Sequence, residues 1–177
     1  VQDPISKQFC AQVWDPQPYQ WKNSAPGKRQ HPLIYECHIG MAAGEEKVGT
    51  FEEFRKNVLP RVADLGYDTL QIMALQEHPY QVSNFFALSS RFGTPEEFKA
   101  LVDEAHGLGI AVVMDIVHSH SVDNEAEGLG LFDGKETLYF YDGWQGHHPA
   151  WGSRCFDYGK DETKHFLLSN CKFWMEE

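Results

Sequence analysis

The chain has 177 residues, 42% of them hydrophobic and 14% aromatic, with a formal net charge of -11. That is a globular composition, long enough for one ordinary domain but short of the roughly 250 residues that a complete eight-unit βα barrel takes. With 15 Lys and Arg against 26 Asp and Glu, the chain lacks the basic clusters that hold a phosphate backbone or an anionic membrane, so it is expected to have no nucleic-acid or membrane partner. Cys10, Cys37, Cys155 and Cys171 contain no CxxC pair, which disfavours a zinc ribbon or a disulfide framework. Without a charged-then-apolar leader or a bilayer-length apolar run, the expectation is a cytoplasmic protein.

The first stretch is aromatic and turn-rich. Residues 9–14 alternate loosely like a short edge strand, which Pro16 and Pro18 break; 22–31 is polar and reads as a linker. From Pro32 the pattern becomes regular. Leu33 to His38 reads as a strand. A helix starting at Thr50 puts Phe51, Phe54, Val58, Val62 and Leu65 on one face, is kinked by Pro60 and ends at Gly66. Residues 69–75 form a second strand.

The third unit has the clearest local signals. Thr94 reads as an N-cap, Pro95 takes the first helical position and Glu97 completes a capping box, with Phe98, Leu101, Val102, Ala105 and Leu108 as the buried face. Gly107 and Gly109 stop that helix before a third strand, whose run Ile110-Ala111-Val112-Val113-Met114-Asp115-Ile116-Val117-His118-Ser119-His120 turns polar at its C-terminal end. Ligands bind at that end of parallel strands, so Asp115 and His120 are candidate site residues; the alternative role for Asp115 is to anchor the following loop by accepting from backbone amides. The loop over 118–158 is too long for an ordinary connection and is suspected of function. A last helix over 161–175 turns Phe166, Leu167, Cys171 and Trp174 inward. A helix after every strand implies parallel strands and right-handed crossovers.

Several of these stretches carry a resemblance that periodicity does not supply. Ile34-Tyr35-Glu36-Cys37-His38-Ile39-Gly40, Gln71-Ile72-Met73-Ala74-Leu75-Gln76-Glu77-His78, Asn84-Phe85-Phe86-Ala87, Ser89-Ser90-Arg91-Phe92-Gly93 and Met114-Asp115-Ile116-Val117-His118-Ser119-His120 closely resemble the 1,4-α-glucan (glycogen) branching enzymes of the α-amylase family, glycoside hydrolase family 13. The likeness continues through Gly128-Leu129-Gly130-Leu131-Phe132-Asp133-Gly134 and Trp151-Gly152-Ser153-Arg154-Cys155-Phe156 to the last helix, so it covers essentially the whole chain.

The resemblance implies a partial (β/α)8 TIM barrel comprising the first three βα units. Residues 1–31 would be the end of a β-sandwich carbohydrate-binding domain and linker, and 32–177 the N-terminal part of the catalytic barrel. It implies an α-glucan substrate such as glycogen, amylose or starch, and no metal or organic cofactor. The family's third-strand motif, Asp-x-x-x-x-His, falls on Asp115 and His120. Asp115 would support the charge and loop geometry of the site, and His120 would hydrogen-bond the sugar beside the scissile bond. Glu162 resembles part of an oligosaccharide-binding surface, although His165 stands where an Arg is usual. In the family a loop containing glycine and aromatic residues follows Glu-His-Pro-Tyr; here Pro79-Tyr80 runs directly into Gln81-Val82. Tyr80 is therefore either the tyrosine before the missing loop or a stand-in for the sugar-stacking one after it.

The family's catalytic Asp, Glu and Asp would all lie beyond Glu177, so this chain alone is expected to be inactive. A barrel cut after three units would expose a parallel edge, and self-association is expected. Two other readings remain. One is a non-catalytic glucan-binding fragment or partial gene product using Trp14, Tyr19, Trp21, Tyr139, Tyr141, Trp144 and Trp151. The other is a metal-dependent hydrolase combining Asp115, His118 and His120 with Glu36, His38, Glu77 or His78.

Overall fold

A computed structural model describes residues 10, 13–15 and 17–177. The chain divides into two compact units, one made by the described residues up to Leu75 together with Leu88–Asp115, the other by Gln76–Ala87 and Ile116–Glu177.

The first unit is built on a parallel sheet in the order β1 (Ile34–Cys37), β2 (Thr69–Ile72), β5 (Ala111–Met114). Ile34 pairs with Thr69, and Thr69 with Ala111, so the three strands run in step. Parallel neighbours require a crossover between them, and helices supply it. α1 (Phe51–Asn57) and α2 (Leu59–Asp64) lie between β1 and β2, and α3 (Pro95–Gly107) leads into β5. Phe51, Phe54, Leu59, Val62, Leu70, Ile72, Leu101, Ala105 and Ile110 pack together and are almost wholly shielded from solvent.

Thr50 and Thr94 each accept from the amide three residues on, and Glu53 and Glu97 return the bond to the capping residue's own amide. Both starts therefore satisfy amides that a helix terminus otherwise leaves without partners.

The single kinked helix expected from Thr50 is instead two helices. Val58 caps α1 and opens α2, with Pro60 in the first turn of α2, where its missing amide proton does least harm. Leu65, expected on the buried face, caps α2 and is 69% exposed. Leu108 caps α3 in the same way and is 46% exposed. In both cases the helical spacing was extended past the residue that ends the helix.

The edge strand expected over 9–14 falls largely on Phe9, Ala11 and Gln12, which lie outside the described residues, as does Pro16; Cys10, Val13 and Trp14 belong to no strand. Residues 22–31 contain no helix or strand. They are nevertheless tied down. The buried Asp103 of α3 accepts from the Tyr19 hydroxyl (3.2 Å), the amides of Lys22 (3.2 Å) and Asn23 (2.9 Å), and the Asn23 side chain (3.1 Å).

Burial alone would raise the pKa of Asp103, but these donors outweigh it and hold the carboxyl below its ordinary value. A carboxyl depressed on folding contributes stability that is complete above the unfolded value, near 4, and is lost as pH falls through the folded value. Thermal stability should therefore drop below about pH 4, and Asp103→Asn should flatten that drop; an unchanged acid limb would remove Asp103 from its cause.

The second unit joins several short strands and one long helix through extended loops. β3 (Gln76–Glu77) pairs with β4 (Asn84–Leu88), and the stretch expected to be an irregular loop instead forms an antiparallel sheet in the order β6 (His120–Val122), β8 (Ser153–Cys155), β7 (His147–His148). α4 (Asp161–Glu176) follows as expected. Phe85, Phe140 and Phe156 are each at most 1% exposed. Phe85 meets Phe156 and Phe166 edge-on at 5.7 and 5.4 Å, and its carbonyl accepts from Asn170 Nδ2 (2.6 Å) and Trp174 Nε1 (3.1 Å). The buried Arg154 stacks over Phe140 at 5.1 Å and donates to the Glu136 carbonyl.

Candidate functional site

His120 opens β6 and is 8% exposed. Its Nε2 lies 2.8 Å from the Tyr80 carbonyl, and its Nδ1 lies 2.8 Å from Ser119 Oγ. A carbonyl can only accept, so Nε2 carries the proton; in the neutral ring Nδ1 then accepts from the Ser119 hydroxyl. Both ring nitrogens are therefore engaged within the chain.

The turn that presents the Tyr80 carbonyl is tight. His78 and Tyr80 both have positive φ, 57° and 62°, a region that costs a side-chain-bearing residue on the order of 1 kcal/mol or more. Local bonds hold it there: Gln81 donates to the His78 carbonyl at 2.9 Å, Ser83 to that of Glu77 at 3.2 Å, and Ser121 Oγ to that of Val82 at 3.1 Å.

Trp151 completes this corner. Gln81 Nε2 donates to its carbonyl at 3.1 Å, and the indole lies parallel to the His148 ring at 4.0 Å and tilted against His120 at 5.1 Å. The Trp151 amide donates to His148 Nδ1 at 3.3 Å. The indole remains 57% exposed. A half-exposed aromatic face beside neutral donors and acceptors suits an uncharged polyhydroxyl ligand, because C–H faces stack on the ring and hydroxyls find partners at its edge.

The other candidates have contacts of their own. Asp115 directly follows β5 in the first unit, where its amide donates to the Ile72 carbonyl at 2.9 Å. Glu162 is exposed in the first turn of α4. It acts on Tyr139, whose hydroxyl is raised in pKa by burial first and then by Asp133 and Glu162. His118 packs on Phe85, and its Nε2 is 2.7 Å from Asn170 Oδ1. Among the described residues no group of three or more His, Cys, Asp and Glu side chains is placed to hold a metal. Nor is any helix among them long and apolar enough to cross a membrane.

The structure thus brings His120 and Tyr80 together and adds Ser119, His148 and Trp151. The sequence names Trp151 as one of several aromatics and as the start of the motif Trp151–Phe156, and gives no individual role to Ser119 or His148. The Trp-Gly step ahead of an alternating Ser-Arg-Cys run was the available signal.

Strands in parallel register, helices between them and polar residues at the strand tips define the class: a parallel βα fold of the kind that builds (β/α)8 barrels. The family described as alpha amylase, catalytic domain, matches residues 61–137. The fold agrees with crystal structures of a candidate alpha amylase from Salmonella typhimurium (TM-score 0.76, 29% identity, 93% of this chain and 27% of that one) and of an alpha-amylase from Geobacillus thermoleovorans (TM-score 0.70, 19% identity, 82% and 37%). Over residues 61–137 the chain is therefore similar to the α-amylase catalytic domain.

It is also similar to the 1,4-alpha-glucan-branching enzymes of Yarrowia lipolytica, 49% identical across all of this chain and 27% of that protein, and of Rhizophagus irregularis, 49% identical across 98% of this chain and 26% of that protein. It spans about a quarter of the length of these curated relatives.

Proposed function

We propose that this chain supplies the first part of the catalytic barrel of a 1,4-α-glucan branching enzyme, which transfers segments of α-1,4-glucan to form α-1,6 branches in glycogen or starch. The observation that carries this reading is 49% identity to a branching enzyme over the entire chain, not over one motif. In this proposal residues 1–31 end a carbohydrate-binding sandwich and 32–177 begin the barrel. The protein is cytoplasmic and the substrate is a neutral α-glucan. His120 hydrogen-bonds the sugar, Asp115 shapes the loop and its charge, Tyr80 borders the subsite and Glu162 contacts a more distant sugar. Chemistry requires the carboxylates that the family carries on later strands, so the chain alone is inactive.

A second reading, glucan binding without catalysis, is favoured by aromatic exposure in the second unit, where Trp144 is 84% and Trp151 57% exposed. Self-association belongs to either reading, since β1 and β5 each have one neighbour among the described strands and Val113 of β5 is 46% exposed.

The test joins this chain to the part of the Yarrowia lipolytica enzyme that follows the matched stretch. The chimera should introduce α-1,6 linkages into amylose, seen as new short chains after debranching, and sediment as a discrete species, whereas the chain alone should make none and sediment as larger assemblies. A folded chimera that makes no branches would overturn the catalytic reading. Retention of the chain alone on a glycogen gel would then leave the binding one.

A further inference from the structure

We propose that Cys171 is a nucleophilic thiol, activated by His118 and positioned through Asn170, that exchanges with low-molecular-weight disulfides. The geometry fixes every proton in the set. Asn170 Nδ2 donates to the Phe85 carbonyl at 2.6 Å, so the amide must turn Oδ1 toward His118, whose Nε2 is 2.7 Å away. An amide oxygen can only accept, so the proton of the neutral imidazole sits on Nε2 and Nδ1 is a bare acceptor. Cys171 Sγ faces that nitrogen at 3.8 Å, a normal separation for a thiol donating to nitrogen.

The other contacts hold the ring in place. His118 packs against Phe85 (6.3 Å between centroids), and its own carbonyl accepts from the Tyr158 hydroxyl at 3.0 Å. Asn170 is fully buried in α4, one residue before the thiol. A nucleophile, a base within reach and a third group orienting the base is the arrangement that activates weak nucleophiles, and thiol, imidazole and amide in that order recur in cysteine proteases. Disulfide exchange asks for less than proteolysis, because no oxyanion needs donors.

The step balances. As Sγ attacks one sulfur of oxidised glutathione, its proton passes to His118 Nδ1, a Cys171–glutathione disulfide forms, the glutathione S–S bond breaks, and the departing thiolate takes the proton back from the imidazolium. No net oxidant is consumed beyond the small disulfide itself.

The other cysteines serve as internal controls. Cys10 is exposed, Cys155 is half-buried like Cys171, and Cys37 is buried, its thiol pushed up to about 12 by burial and by Glu36. With oxidised glutathione added to the native chain and adducts mapped by mass spectrometry, Cys171 should be modified about 100-fold faster than Cys155 and faster than Cys10, the low end of what a positioned base supplies. In urea the difference should vanish. His118→Gln, which can still donate to Asn170, should slow Cys171 by about the same factor while leaving Cys10 unchanged, and unchanged hydrogen exchange at the amides of β6, β8 and α4 reports that the second unit of the variant is folded. Equal rates at Cys171 and Cys155 in the native chain, or an unchanged Cys171 rate in a folded His118→Gln variant, would each overturn the proposal.

Discussion

Phe85→Ala should destabilise the second unit by about 3–5 kcal/mol, the range for removing a buried aromatic ring whose surroundings cannot collapse into the space. Phe85 is 1% exposed, stands edge-on to Phe156 and Phe166 and covers His118, so its loss uncovers three rings at once. Relaxation is restricted because the backbone at this position is pinned by two donors from α4, Asn170 and Trp174. The adjacent residue is the control. Phe86 is 37% exposed and meets Phe166 and Phe173 from the other face of β4, so Phe86→Ala should cost only about 1 kcal/mol, in proportion to the apolar area it keeps from water. Urea denaturation gives both numbers. Hydrogen exchange at the amides of β6, β8 and α4 shows whether the damage lies in the second unit. Equal losses for the two variants would mean that the ring of Phe85 is not the keystone its burial indicates.

Why the first unit was largely legible and the second was not follows from the range of the interactions. α3 announces itself within four residues: Thr94, Pro95 and Glu97 form a cap whose bonds are all local. β1, β2 and β5 are short apolar runs separated by helices, a pattern that a parallel sheet alone accommodates well. The differences there are the break at Val58, where one kinked helix is expected and two form, and the ends at Leu65 and Leu108, where helical spacing continues past the helix. In the second unit β6 and β8 are three residues each and meet from more than thirty positions apart, and the turn residues between them, Asp133-Gly134 and Asp142-Gly143 among them, mark bends without indicating which strands pair. Two- and three-residue strands have no periodicity to detect.

The candidate site divides the same way. A polar end to a buried run pointed to His120, but its partner is a backbone carbonyl, and a carbonyl's direction depends on φ and ψ rather than on residue type. His78 and Tyr80 reach positive φ without being glycines. Trp151 comes from β8's approach and His148 from β7, in a stretch whose order is visible only after the sheet has formed.

His120→Ala in the chimera should lower kcat/KM for branching by about 100-fold, the loss expected when a site built to bond a hydroxyl is left without its donor. In the structure the imidazole is already bonded on both sides, to Ser119 Oγ and to the Tyr80 carbonyl. If His120 holds a sugar as proposed, the hydroxyl must take over the Nε2 proton from that carbonyl, so the bond made to substrate is exchanged for one made to the turn. Removing the ring therefore has two separable consequences. The Tyr80 carbonyl loses its donor, which should reduce stability by about 1–3 kcal/mol, and the substrate loses a contact, which should reduce turnover of glucan. Ser119→Ala distinguishes them: it frees Nδ1 but leaves the Nε2 proton and the Tyr80 bond, so it should lower stability by about 1 kcal/mol or less and activity far less than His120→Ala. Should the two variants lose activity in proportion to stability alone, His120 is a brace for the turn after β3, and sugar recognition at this corner falls to the exposed face of Trp151.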